Sequence, residues 1–277
     1  MNTTLRCLAV MALGAALPAT GWSQDAVAVT AAPASARTVQ GYVPKPYVPQ
    51  SRRDFTGLWE NRGGIGWQQG IAPGRAQNAP LTPAYQKIFD RHLANAEAGK
   101  PTGDPTAACV PQGMPRIMTM TYPMEIMMND RQVNIFAEWN GQTRRIFTDG
   151  RPLPPADEVD VTYNGTSVGH WEGDVLVADT VGMRPETNLE SSGLPHSDAL
   201  TVKERIWLER DNLLVDEITL VDPKAYTRPW TVTKKFYRAA PGAELIEYVC
   251  LENQRNPVNA DGEIGVILAT KPAPKKK

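Results

Sequence analysis

The sequence predicts a mainly β protein, an antiparallel meander barrel with one amphipathic helix near residues 83–98. Three observations predict it. From Cys109 onward apolar residues recur with period two almost to the end of the chain. Turn dipeptides interrupt that run at short intervals, and a single segment carries helical periodicity. Consecutive antiparallel hairpins with short turns and one helix are the pattern of a closed or nearly closed barrel.

In chain order, Met1 to Ser23 reads as a secretory signal. Arg6 is the positive n-region, Leu8 to Leu17 the apolar stretch, and Gly21-Trp22-Ser23 the small-residue cleavage context. The apolar stretch is about half of the roughly 20 residues that span a bilayer, so no integral membrane segment is expected after processing. Residues 24–53 are rich in Ala, Val and Pro with few bulky apolar groups, a flexible leader or strap. One barrel domain is expected over 54–270. Lys271 to Lys277 is expected to form a basic, disordered tail.

The helix is framed by Thr82 as N-cap, Pro83 at its first position and Gly99 near its C-cap. Tyr85, Ile88, Phe89, His92, Leu93 and Ala96 fall on one face, which makes His92 a packed histidine. Four hairpins follow. Gln132 to Trp139 turns at Asn140-Gly141 into Thr143 to Thr148. Asp160 to Trp171 turns at Glu172-Gly173-Asp174 into Val175 to Val181. Ala199 to Glu209 turns at Arg210-Asp211-Asn212 into Leu213 to Val221. Thr231 to Arg238 turns at Pro241-Gly242 into Leu245 to Glu252. Six of the nine methionines lie between Met114 and Met128. They suit an irregular binding wall or, more commonly, a Met-rich core or lid.

The chain has 277 residues, with 29 Lys and Arg against 30 Asp and Glu. Loss of residues 1–23 leaves a net charge of −2, and the body without its tail carries −6. No basic cluster marks a nucleic-acid footprint. Of three cysteines, Cys7 would leave with the signal. Cys109 and Cys250 then remain, either a disulfide, the usual state in an exported chain, or two separate buried thiols. A bridge would close about 140 residues and contribute on the order of 4–5 kcal/mol in the chain-entropy account.

Alternation sorts the strand faces. Leu200, Val202, Glu204, Ile206 and Leu208 share one, so Glu204 is a carboxylate among aliphatics that either meets an arginine or has a raised pKa. Asp179 shares its face with Val175 and Val177 and is read in the same way. Arg144 and Arg145 lie on opposite faces, so one of them points inward. These groups are a catalytic set or an internal ion-pair network that fixes register. His196 follows the loop Met183–Pro195, where ligand-contacting residues collect, although His196-Ser197-Asp198 also suits a capped turn. His170 is two residues from Glu172, but with two plausible histidines and no cysteine ligands no metal site is expected. Tyr226, Arg228 and Trp230 place a phenol, a guanidinium and an indole within five residues, able to cradle a ligand or to plug a barrel end. No P-loop, GxGxxG, GxSxG or HExxH motif is present, and no cofactor is implied.

Asp54 to Trp59 (DFTGLW) resembles the Gly-x-Trp that opens the first strand of calycin (lipocalin-like) barrels. In those barrels the Trp closes the floor and a late Arg packs on it; Arg238 is the candidate here. A closer resemblance, over roughly residues 54–255, is to a group of largely uncharacterised exported proteins of Gram-negative bacteria. It rests on Arg144 to Arg151, Ser167 to Thr180, Pro195 to Arg205, Tyr226 to Trp230, Glu247 to Asn253 and Cys109-Val110-Pro111. The resemblance implies an exported barrel with a polar interior, periplasmic or secreted. The chain departs from the group at Met183 to Asn188, where an aromatic residue is usual.

Three functions are weighed. The first is an enzyme acting on a small, partly apolar molecule by cofactor-independent acid/base chemistry, a lyase or isomerase rather than a hydrolase because no activated nucleophile is evident. In it His196 is the acid or base, Asp179 and Glu204 tune it, and Arg145 or Arg228 holds developing charge, beside His170, Tyr226 and Trp230 as binding groups. The second is a periplasmic carrier or sensor of a hydrophobic ligand. The third is a structural or interaction protein of the envelope, which would have a filled barrel.

Overall fold

Three of the four expected hairpins close as the turn chemistry dictates, and the fourth is replaced by a longer-range pairing. The computed structural model describes residues 45–62, 66–67 and 77–250. The expected signal segment, most of the expected leader and the expected basic tail lie outside the described residues. The strands are β1 (Gly57–Asn61), β2 (Met124–Met128), β3 (Gln132–Ala137), β4 (Gln142–Phe147), β5 (Thr166–Glu172), β6 (Val175–Val181), β7 (Thr201–Arg210), β8 (Leu213–Val221) and β9 (Trp230–Arg238). The helix α1 is Pro83–Glu97.

The strands form a closed barrel in sequence order. A closed ring must reverse strand direction an even number of times, so nine strands require at least one parallel neighbour pair. That pair is β4–β5, joined through Ile146 opposite Ser167 and Phe147 opposite Val168. The barrel is therefore mixed, because residues 148–165 carry the chain back from one end of the barrel to the other before β5 begins. The tight turns need left-handed backbone at Asn140 (φ 56°), Gly141 (φ 55°) and Gly173 (φ 58°), which Asn and Gly adopt readily.

The expected return strand Leu245 to Glu252 does not form: residues 239–249 carry no strand, and Leu251 and Glu252 lie outside the described residues. The edge of β9 is taken instead by β1, with Trp59 opposite Arg238 and Asn61 opposite Phe236. Closure of the ring satisfies that edge, and Tyr248 leaves the sheet to stack on Trp139 at 4.6 Å. The sulfurs of Cys109 and Cys250 lie at disulfide distance, 2.07 Å, across a separation of 141 residues.

The floor is the end where β1 starts and β9 stops. Trp59 is fully buried there and its indole donates to the Phe55 carbonyl. The Arg238 guanidinium lies 4.2 Å from the centre of the Trp59 ring and donates to the carbonyls of Thr56 and Asp211. Gly57 makes this fit possible: at φ +133° its β-carbon would stand 2.2 Å from Arg238 Nη1. Phe55 packs against Trp171, 5.4 Å between centres.

At the other end, the mouth, helix α1 buries Phe89 and Ala96, and Tyr85 and Leu93 pack on the core. Pro83 opens the helix as expected. Thr82 makes no side-chain cap; its hydroxyl donates to the Lys224 carbonyl, which ties the helix start to the β8–β9 connection. Met114, Met118 and Met124 are buried core residues, so at these positions the Met-rich run fills the interior. Among the described residues no helix is long and apolar enough to cross a membrane.

Candidate functional site

The alternation on β7 holds: Val202, Glu204, Ile206 and Leu208 are buried, while Lys203 and Arg205 are exposed. Glu204 therefore enters the barrel from a strand whose other inward residues are aliphatic. A lone carboxylate there would be expensive, and its partner is Arg144, the inward residue of the β4 arginine pair. Both side chains are wholly buried. Arg144 Nη1 donates to Glu204 Oε1 at 2.8 Å, and Nη2 donates to Oε2. Nη2 also reaches Thr180 Oγ1 at 3.3 Å and Ser167 Oγ at 3.4 Å, and those two hydroxyls bond each other at 2.7 Å. Four neighbouring strands thus each contribute one member of a closed polar network.

The next two strands behave differently. Asp216 of β8 and Lys234 of β9 are cross-strand partners, and both point inward. Asp216 is 0 % exposed and Lys234 is 2 % exposed. No ion pair joins them. The Lys234 ammonium instead donates to the Gly66 carbonyl. No hydrogen bond of ordinary geometry reaches either Asp216 oxygen among the described residues, although the Glu204 carboxyl lies beside it. Burial, and then the Glu204 charge, push the Asp216 carboxyl well above the usual carboxylate range against the pull of Arg144. Burial lowers the Lys234 amine to about 8, against the attraction of Asp216 and Glu190. An acid inclined to keep its proton and an amine inclined to lose one thus lie side by side, a combination suited to proton transfer.

The other sequence-predicted residues do not join this cluster. Asp179 is on the outer face, where Lys203 Nζ donates to it at 2.9 Å. This corrects its expected face: in Val175–Val181 both parities are rich in apolar residues, and Leu176, Ala178 and Thr180 are the inward set. Arg145 is likewise exterior and lines a groove of about 420 Å³ with Tyr163 and Asn164. His170 is exposed and meets Glu172 at 3.4 Å, while Arg205 donates to the same carboxylate at 2.8 Å. Arg228 is exposed.

His196 is buried at the mouth, with both ring nitrogens occupied. Nδ1 lies 3.0 Å from the Ser197 carbonyl, which can only accept, and Nε2 lies 2.9 Å from Thr187 Oγ1. Burial pushes the imidazole below its ordinary pKa, opposed by the Ser197 bond and the charges of Asp222 and Glu186. Ser197 donates through its amide and hydroxyl to the two Asp222 oxygens, both at 2.6 Å, so this segment is a capped turn. Tyr226 and Trp230 are buried beside it, their rings 6.1 Å apart, with the phenol donating to the Pro195 carbonyl. Trp67 joins them 6.0 Å from Trp230 and donates to the Leu189 carbonyl. Together with the buried loop 187–197 these aromatics plug the mouth.

Arg144, Asp216 and Lys234 are the residues that sequence reasoning left unassigned or passed over. Their signal was present. Leu214, Asp216, Ile218 and Leu220 share one parity on β8, and Trp230, Val232, Lys234 and Phe236 share one on β9. Among the described residues no three His, Cys, Asp or Glu side chains gather as a metal set. The chain matches no known protein-family model and no curated protein.

Proposed function

We propose that this is an exported enzyme acting on a small, partly apolar molecule inside the barrel by cofactor-independent acid/base chemistry of the lyase or isomerase type. Asp216 serves as general acid and base, Lys234 as the adjacent amine, and Glu204, fixed by Arg144, holds the Asp216 proton in place by its charge. The observation that carries this reading is the Asp216 carboxyl: wholly buried, without a hydrogen bond of ordinary geometry, and not paired with the lysine opposite it. A buried carboxyl perturbed by desolvation and a neighbouring charge, with no pairing that relieves it, is the kind of group that functional sites are built on. The acid/base role moves to this pair from His196, whose two nitrogens are committed to the mouth plug.

Export is supported by the N-terminal pattern of Arg6 and Leu8 to Leu17 and by the Cys109–Cys250 pair at disulfide distance. A calycin-like ancestry is supported by Arg238 stacked on Trp59 at the floor. The inward aliphatic residues Val202, Ile206, Leu214 and Ile218 favour a second reading, a carrier that holds an apolar ligand without changing it. Incubation of the full protein with a panel of small aromatic and aliphatic aldehydes, ketones and alcohols, followed by mass spectrometry, separates them. Turnover that is lost in Asp216→Asn supports the enzyme. A retained, unchanged compound supports the carrier, and no retention or turnover of any compound overturns both.

A further inference from the structure

Lys234 is the one buried lysine among the described residues, and its surroundings are unusual for a lysine that only fills space. A structural lysine facing an aspartate across an antiparallel pair would close an ion pair, since β-carbons so placed are about 5 Å apart. Here that pair is not made. Along β9 the amine is flanked two residues away on either side by inward Val232 and Phe236, and Asp216 is flanked by Leu214 and Ile218. An amine and a carboxyl thus stand together between apolar neighbours on their own strands, with the Glu204 carboxyl beside Asp216.

We infer that Lys234 is a nucleophile, and that the barrel takes an apolar aldehyde or ketone as an imine on its Nζ. The inference rests on the proposed small-molecule site and names the chemical class of its substrate. The nitrogen lone pair forms a bond to the carbonyl carbon while the carbonyl oxygen takes a proton from Asp216. Asp216 then removes a proton from the nitrogen and returns one to the oxygen, which departs as water. It finally takes the proton of the resulting iminium. Amine and carbonyl become imine and water, Asp216 ends as it began, and neither oxidant nor reductant is consumed. An amine lowered to about 8 is unprotonated in roughly a tenth of molecules at neutral pH, far more than an exposed lysine, whose pKa is about 10.4.

The test treats the full-length protein with benzaldehyde and sodium cyanoborohydride, which reduces an imine to a stable benzylamine, and maps the modified lysines by peptide mass spectrometry. Exposed Lys203 and Lys224, both held in surface ion pairs, are the internal standards. Lys234 is expected to label roughly tenfold faster than either. Asp216→Asn should slow Lys234 alone, while Lys203 and Lys224 label as before. Lys234→Arg should abolish the fast adduct, with near-ultraviolet circular dichroism reporting that the fold is kept. Labelling of Lys234 no faster than the standards, or unaffected by Asp216→Asn, overturns the inference. Benzyl alcohol, which has no carbonyl, separates the two levels of reading. Calorimetric binding of the alcohol without benzaldehyde adduct formation sinks the imine and leaves the small-molecule site standing; failure of both sinks both.

Discussion

Two pairs of an acidic and a basic residue face the same barrel interior and are treated in opposite ways. Arg144 and Glu204, on β4 and β7, make a two-pronged contact, and the guanidinium donates further to the Ser167 and Thr180 hydroxyls. Asp216 and Lys234, on adjoining strands and in direct register, make none. Desolvating an ion costs several kcal/mol, and only close pairing with full hydrogen bonding offsets it. The first pair meets that condition and the second does not. The difference separates a satisfied ion-pair network from the proposed site, whose unpaired groups are held at a cost to stability.

The largest test of that contrast breaks the satisfied pair. Glu204→Gln leaves the Arg144 guanidinium buried without its carboxylate and should cost about 3–5 kcal/mol in urea unfolding. Replacing both partners, Arg144→Met with Glu204→Leu, should recover most of that loss, because an apolar pair of similar volume removes the desolvation cost as well. A Glu204→Gln variant as stable as the parent would show that the network contributes little and would erase the contrast.

The opposite sign is expected one strand away. Asp216→Asn keeps the shape and removes the cost of holding a proton that the unfolded carboxylate gives up at neutral pH, so it should raise stability there by about 1–3 kcal/mol in urea unfolding. The pH dependence carries the same signature. With its folded pKa raised, Asp216 binds a proton in the folded chain that the unfolded chain has already lost, so its contribution is full below the ordinary carboxylate range and fades as pH rises through the folded value. Asp216→Asn should abolish that fall.

Lys234 runs the other way, with a smaller effect in the accessible range. Its folded pKa of about 8 lies below the ordinary 10.5, so between those values the unfolded chain holds the extra proton and stability rises with pH. Lys234→Met should flatten the rise. Thermal midpoints measured from pH 7 to 10 check both the sign and the window; a parent curve without the rise would mean that the amine is not desolvated.

The unequal legibility of these residues has a physical cause. On β7 only one parity is aliphatic, so the inward face and Glu204 could be read directly. On β6 both parities carry apolar residues, and with period two a one-residue ambiguity turns Asp179 from exterior to interior. Adjacent Arg144 and Arg145 pose the same ambiguity, settled only by the β3–β4 register in which Arg144 faces Ile135. The barrel closure β1–β9 joins residues some 180 positions apart, and β2 is a run of methionines without strict alternation, so neither leaves a local trace. The Cys109–Cys250 pair was legible because only two cysteines remain once Cys7 is assigned to the expected signal, whereas the Trp59–Arg238 stack was expected only through the calycin resemblance.

The smallest expected effect is on the outside of the same strands. Asp179 and Lys203 face each other at 2.9 Å on the β6–β7 surface, with the lysine largely exposed. Water screens such a pair and the long side chain must be ordered to make it, so Asp179→Asn should change stability by no more than about 0.5 kcal/mol. The effect should shrink further in 1 M salt, where charges are screened within about 3 Å. Glu204 and Asp179 both face a cation at hydrogen-bond distance; they differ in access to water and in the number of bonds around the cation. A loss for Asp179→Asn as large as that for Glu204→Gln would mean that burial does not separate the two, and the contrast between interior and surface pairs would have to be rebuilt on geometry alone.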